Sequence, residues 1–248
     1  MKAVYIMWLR QLKRYWRSKG RMIGFLGQPI LFLLALGFGF GPIYKAAGGG
    51  DYMQFLAPGI IAMTALFSGM FSGMEVVWDK QFGFLKETLV APVSRVSIML
   101  GKTLGGATVA MAQSFIVFLI CLLVGFKPAS LLMLPLALVY LFLISFLFTA
   151  LATAIASKLE DMQAFPIIMN FIIMPLFFLS GALFPLSNLP KAIEIIARLN
   201  PLSYGVDGLR GTLTATSHLG LFLDFGVLAV ISILVVAVGS YLFSNVEV

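Results

Sequence analysis

The sequence predicts an all-α membrane protein with six spanning helices, and three observations carry that reading. Of the 248 residues, 60% are hydrophobic and only 11% are charged, against roughly 25% charged in soluble domains. Six apolar runs, at 22–41, 53–78, 98–125, 131–157, 164–184 and 220–243, each reach the ~20 residues that a helix needs to cross a ~30 Å hydrocarbon core. The runs are continuous. In lipid every backbone N–H and C=O must find a partner within the protein, and barrel strands would show about ten-residue alternating segments instead.

Ahead of the first run, residues 1–21 form an amphipathic segment. On a helical projection Val4, Tyr5, Trp8, Leu12, Tyr15 and Trp16 share one side and Arg10, Lys13, Arg14 and Arg17 the other, the pattern of a helix lying in the membrane interface. Gln11, Ile6 and Leu9 blur the two faces. The cations suit anionic headgroups, and the helix is also placed to pack against whatever sits below the membrane. A cleaved signal peptide would have a shorter charged region and a shorter apolar core.

The loop after the first run, "GPIYKAAGGGD", is glycine-rich and offers no chemistry. The third and fourth runs are joined only by residues 126–130 and form a helical hairpin. The fourth carries the small residues Thr149, Ala150, Ala152, Thr153, Ala154, Ala156 and Ser157, which let helix backbones approach closely. GxxxG spacings at Gly69/Gly73 and Gly101/Gly105 read as packing positions. Breakers at Pro166 and Pro175, with Pro185 just beyond, mark the fifth run for kinks. Between the fifth and sixth runs, about 185–213 is too polar to span and too apolar to be a free loop. There Pro190 starts a short helix with Ile193, Ile196 and Ala197 on one face, Asn200-Pro201 ends it, and a second short helix follows. Both fit a half-buried cap or re-entrant element.

Orientation follows from Lys and Arg near the span ends. Twelve (Lys2, Arg10, Lys13, Arg14, Arg17, Lys19, Arg21, Lys80, Lys86, Arg95, Lys102 and Lys158) fall on one side, and five (Lys45, Lys127, Lys191, Arg198 and Arg210) on the other. Both termini are therefore expected in the cytoplasm. The net charge of +7 needs no nucleic-acid partner to explain it.

Little in the spans ionises. Glu75 and Asp224 lie close to the interfaces, where a charge costs least. His218 is in an outer loop, and Cys121 is a small core residue inside the third span. There is no HExxH, paired-acid or cysteine-cluster motif, which counts against a membrane enzyme or redox protein. Gly101-Lys102-Thr103 echoes a nucleotide-binding loop, but the earlier glycine is Val96 and no strand precedes it. Selectivity-filter sequences, rows of charged pore residues and paired broken helices are missing too, against a channel or a secondary transporter.

The most charged island between spans is "WDKQFGFLKETLVAPVSR", 78–95. Projected as a helix, Trp78, Phe82, Leu85 and Leu89 make an apolar stripe facing the bundle. Lys80, Gly83, Phe84 and Glu87 face away, an aromatic among charges that fits a protein partner. "DKQFGFLKETLVAPVSR" (79–95), "LSGALFPLSNLPKAIEIIARLNPLSYGVDGLR" (179–210) and "YMQFLAPGIIAM" (52–63) resemble the permease subunits of type-2 ABC exporters, the group that includes daunorubicin-resistance and nodulation-factor export permeases.

The resemblance implies a connecting helix at 1–21 and a six-helix permease domain at 22–248, with a cytoplasmic coupling helix at about 79–91 and outer re-entrant helices before the last span. It implies a prokaryotic plasma (inner) membrane, a second permease copy, and two separate ATP-binding cassette subunits that hold ATP and Mg; no cofactor is expected on this chain itself. Carried onto these residues, coupling falls to Phe82, Phe84, Leu85, Lys86, Glu87, Pro92 and Arg95. The translocation path falls to Met63, Phe67, Met70, Phe71, Met174, Phe177 and Phe178, a lining suited to apolar or amphipathic substrates. The outer gate falls to Pro185, Pro190, Asn200, Pro201 and Tyr204. Glu75 is expected to pair with Arg14 or Arg17 and so tie the connecting helix to the second span. A non-transporting scaffold for a cytosolic partner, and an ion-coupled transporter working alone, are the alternatives.

Overall fold

The structure, a computed structural model, describes residues 2–48, 50–84, 88, 93–159, 161–186 and 190–244. Its helices are α1 (Lys2–Arg17), α2 (Lys19–Ala46), α3 (Tyr52–Ser72), α4 (Met74–Gln81), α5 (Arg95–Val124), α6 (Leu134–Lys158, entered by a 3-10 turn at Leu131–Met133), α7 (Ala164–Phe178), α8 (Lys191–Leu199), α9 (Pro201–Thr214) and α10 (Leu221–Ser244). No strand occurs among the described residues.

Among the described residues, five stretches are long and apolar enough to cross a membrane: Lys19–Ala46, Tyr52–Gln81, Arg95–Val124, Leu131–Lys158 and Leu221–Phe243. At 1.5 Å per residue the 28 residues of α2 reach about 42 Å. The fifth apolar run differs from expectation. Its helix is only the 15 residues of α7, about 22 Å by the same rise. It stops at Phe178, well short of 184, because the chain turns through Gly181, whose φ is +75°.

The second run is also not one uniform helix. It breaks at Gly73 and resumes as α4, which carries Asp79 and Lys80 as a helical extension of the span. Gly73 lies against α6 so closely that an added Cβ would sit 2.8 Å from the Ala152 oxygen. Gly101 and Gly105 play the same part for α1: a Cβ there would meet Met7 Cβ or Gln11 Cβ at 2.6 Å. Both GxxxG spacings are thus seams within the chain.

α3 is the centre of the bundle, buried along almost its whole length from Tyr52 to Met70 and packed by α2, α5, α6, α7 and α9. α1 lies along α5, burying Met7, Gln11 and Tyr15, and Trp8 Nε1 donates to Thr108 Oγ1 at 3.0 Å. The projected apolar side of α1 is therefore divided. Trp8 and Tyr15 turn inward, whereas Tyr5 and Trp16 stand exposed beside the cations, where an interfacial helix keeps its aromatics.

At the far end of the bundle, α8 and α9 part company. α9 is core, buried against α3, α6 and α10, deeper than the half-buried cap expected. α8 is a surface helix in which Ala197 is buried and Ile196 exposed, since only a small side chain fits the line of contact.

Candidate coupling site and translocation cavity

The basic end of the bundle gathers α1, the end of α4, the start of α5 and the end of α6. Asp79, buried to 4% exposure, is its hub. Arg10 holds it bidentately, Nη1 to Oδ2 at 3.0 Å and Nη2 to Oδ1 at 2.9 Å. Lys102 Nζ, only 2% exposed, reaches Oδ2 at 2.6 Å, and Arg14 Nη1 adds a longer contact at 3.4 Å. Bidentate guanidinium–carboxylate pairs are strong and directional, so this one carboxylate pins three helices together. Three cations around one anion leave a surplus of positive charge at the rim, where anionic lipid headgroups would meet it.

Glu75 lies one helical turn earlier on α4 and pairs with Arg21 of α2, Nη1 to Oε1 at 2.5 Å. The expected pairing with Arg14 or Arg17 is thus corrected. Arg14 goes to Asp79, and Arg17 is exposed without an ion-pair partner among the described residues. Arg17 shares the basic side of α1 with Arg10 and Arg14 but ends the helix about 10 Å further along from Arg10, and Arg21, on α2, is the cation that reaches Glu75.

Beyond α4 the chain turns at Phe82 and Gly83, the latter at φ +78°. That left-handed residue breaks the helical register on which the projection of 78–89 depended. Phe82, assigned to the inward stripe, is instead 77% exposed. Phe84, assigned outward, is half-buried beneath Arg10, whose Cζ stands 3.6 Å from the ring centroid, a cation–π contact. Thr88 Oγ1 donates to the Phe84 carbonyl at 2.9 Å. Leu85, Lys86, Glu87 and Pro92 lie outside the described residues. Arg95 is the first residue of α5, just after Ser94, whose hydroxyl accepts from the Ser97 N–H.

The path residues divide. Met63, Phe67, Phe71 and Met174 line a cavity of about 390 Å³ between α2, α3 and α7, with Arg21, Gln28 and Asn170 on its polar wall. Met70 and Phe177 do not line it. Both are buried, Phe177 with its ring edge-on to Phe67 and Phe32 at 6.2 Å. Phe178 is partly exposed on the outer side of α7.

Of the outer-gate residues, Asn200 is the joint: its Oδ1 accepts from Leu202 N at 2.9 Å, capping α9, and its Nδ2 donates to Leu176 O at 2.6 Å, tying α9 to α7. Pro201 opens α9 and Tyr204 donates to the Arg198 carbonyl at 2.8 Å. Pro190 caps α8, its carbonyl accepting from Ile193 N at 2.9 Å and Glu194 N at 3.1 Å, and Pro185 lies two residues before a stretch outside the description. Arg210, not singled out in the sequence, reaches Gly181 O at 3.0 Å and stacks on Phe55, 4.0 Å from the centroid.

Asp79, Lys102 and Arg10 are the site residues that sequence reasoning missed. In the sequence Asp79 reads as the start of the coupling helix and Lys102 as part of an echo of a nucleotide motif. The available signal was an acid and a base at the ends of two neighbouring apolar runs.

The comparisons with known proteins agree with this architecture. A model of the ABC-2 type transporter family matches residues 2–214. The chain is 30% identical over 207 residues to a transport permease named ycf38 from Porphyra purpurea, covering 81% of this chain and 70% of that one. To the ycf38 permease of Pyropia yezoensis it is 31% identical with the same coverage. To nodulation protein J of Sinorhizobium fredii it is 26% identical over 217 residues, 86% of this chain and 81% of the other. A family match that runs from α1 through α9, over the basic end and the buried outer helices, makes the chain a multi-pass membrane permease that belongs to the ABC-2 type transporter family.

Proposed function

We propose that the chain is the membrane-spanning half of an exporter, moving an apolar or amphipathic substrate out of the cytoplasm while a separate ATP-binding cassette subunit hydrolyses ATP. The observation that carries this reading is the basic end. Asp79 locks α1, α4 and α5 into one rigid unit, and directly after it the chain presents Phe82 outward, 77% exposed. An exposed aromatic beside fixed charges is the kind of anchor that fills a pocket on a partner. In this reading ATP and Mg sit on the partner, two copies of which join two permeases, and both termini lie in the cytoplasm of a prokaryotic inner membrane.

Closure of the partner subunits pushes on the 82–93 segment. Through the Asp79 cluster the push reaches α4, and across Gly73 it reaches α3, which forms a wall of the Met63–Met174 cavity. The inner mouth shuts as the α8–α9 end opens at its Asn200 joint. The mainly apolar wall with a polar patch at Arg21, Gln28 and Asn170 supports an amphipathic cargo.

The test is to purify the tagged chain from its native membrane under mild detergent. An ATP-binding cassette protein is expected to co-purify, with an ATP hydrolysis rate that changes when the pair is placed in lipid. Recovery of the chain alone, with ATP-independent efflux driven by a proton gradient, would establish the ion-coupled alternative.

A further inference from the structure

Two cavities meet at Arg21. One is the cavity of about 390 Å³ between α2, α3 and α7. The other is a small chamber of about 30 Å³ between α1, α2, α3, α4 and α5, lined by Tyr15, Arg21, Glu75 and Gln113 among others. Arg21, Phe25 and Phe71 belong to both linings, so the Arg21–Glu75 pair stands in the partition between them.

The chamber is rich in buried polar groups that lack a well-aligned partner. Glu75 spends Oε1 on Arg21, while its Oε2 has no hydrogen-bond partner among the described residues; the Tyr15 hydroxyl and the Gln113 amide interact with each other without a well-aligned hydrogen bond to any described group. Glu75 is 4% exposed, Tyr15 6% and Gln113 1%. Buried polar atoms are almost always paired, by protein or by ordered water. A water needs only ~10–15 Å³ of such space and two to four polar partners, and this chamber offers both. Burial raises the Tyr15 phenol above its ordinary range, partly offset by the Gln113 side chain and the Arg21 charge.

A buried carboxylate cannot normally release its only cation, because the uncompensated charge is too costly. Here the chamber supplies the compensation: the Tyr15 hydroxyl and the Gln113 amide as donors, with room for water between them and Glu75 Oε2. We propose that Arg21 is an exchangeable anion-binding residue, which leaves Glu75 for the head of an anionic amphiphile in the α2–α3–α7 cavity while the polar groups of the chamber take over Glu75. The inference rests on reading that cavity as part of the substrate path, and it adds the charge class of the cargo. Glu75 and the ligand head then compete for one guanidinium, and substitutions of the two partners act in opposite directions. A purely structural ion pair would not behave so, since losing either side would weaken the site.

The experiment measures binding to the purified full chain in phosphatidylcholine nanodiscs, with empty nanodiscs subtracted. The probes are dodecyl phosphate and dodecyltrimethylammonium. The wild type is expected to bind dodecyl phosphate about tenfold more tightly than the cation, the scale of one charge-assisted contact. Glu75→Gln is expected to tighten dodecyl phosphate further. Arg21→Gln is expected to abolish the preference. So is Arg21→Gln with Glu75→Gln, the variant that leaves no buried charge unpaired and so guards against misfolding. Equal binding of both probes by the wild type, a preference surviving in the double variant, or weaker dodecyl phosphate binding in Glu75→Gln would overturn the inference and leave the cavity reading standing. Binding of neither probe would overturn the cavity reading and the inference together.

Discussion

Asp79→Ala is expected to lower the stability of the folded chain by about 3–5 kcal/mol, the loss typical when one partner of a buried ion pair is removed. The size follows from what is left behind. Lys102, 2% exposed, would lose its directly bonded counter-charge, and Arg10 and Arg14 would be left repelling each other across the same space. The effect has a signature that a lost packing contact lacks. Asp79→Asn with Lys102→Met removes both buried charges and is expected to recover most of the loss, because a buried pair replaced by neutral groups is often no less stable than the pair itself. The measurement is the temperature at which the purified chain loses its monodisperse elution in detergent, compared across wild type, single and double variants. A double variant as unstable as Asp79→Ala would show that Asp79 holds the bundle by something other than charge.

Phe82→Asp is expected to leave the isolated chain intact and to break its association with the ATP-binding subunit. Phe82 is 77% exposed and sits in the turn that ends α4, so its replacement falls among surface changes worth within ±0.5 kcal/mol of stability. At a docking surface an aromatic anchor is worth about 2 kcal/mol or more, a roughly 30-fold loss of affinity. Phe84→Asp behaves differently. Its ring carries the Arg10 guanidinium, so an aspartate there competes with Asp79 for Arg10 and disturbs the hub as well as the contact. Thermal stability of the chain and recovery of the ATPase subunit, measured side by side, separate the two positions. Normal recovery with Phe82→Asp would move the docking contact elsewhere.

The spans were legible because lipid imposes a simple rule: a continuous apolar run of sufficient length becomes a helix. Run lengths gave α2, α5, α6 and α10 to within a few residues, and the proline and asparagine punctuation placed α8 and α9. What the sequence hid were the events that depend on single glycines and on neighbours distant along the chain. Gly83 turns the chain after α4, so a projection that assumed one helix across 78–89 exchanged the environments of Phe82 and Phe84. Asp79 and Lys102 are 23 residues apart on different helices, and nothing local joins them. Gly101-Lys102-Thr103 resembled a phosphate loop, yet each residue serves packing: Gly101 admits Met7, Lys102 meets Asp79 and Thr103 is buried. The sequence points to Arg14 or Arg17 of the connecting helix as the Glu75 partner. Arg21 is on α2, just past the Ser18 junction, and only the packed structure brings it to Glu75.

The central claim is that energy enters this chain from a separate ATP-binding subunit and drives a substrate through it. Transport of a fluorescent dodecyl phosphate derivative into inside-out vesicles tests it most directly, with vesicles holding this chain alone, the ATP-binding subunit alone, or both. The account predicts accumulation only with both chains and hydrolysable ATP, abolished by Phe82→Asp. Accumulation by this chain alone without ATP, or full activity in the Phe82→Asp variant, would contradict it.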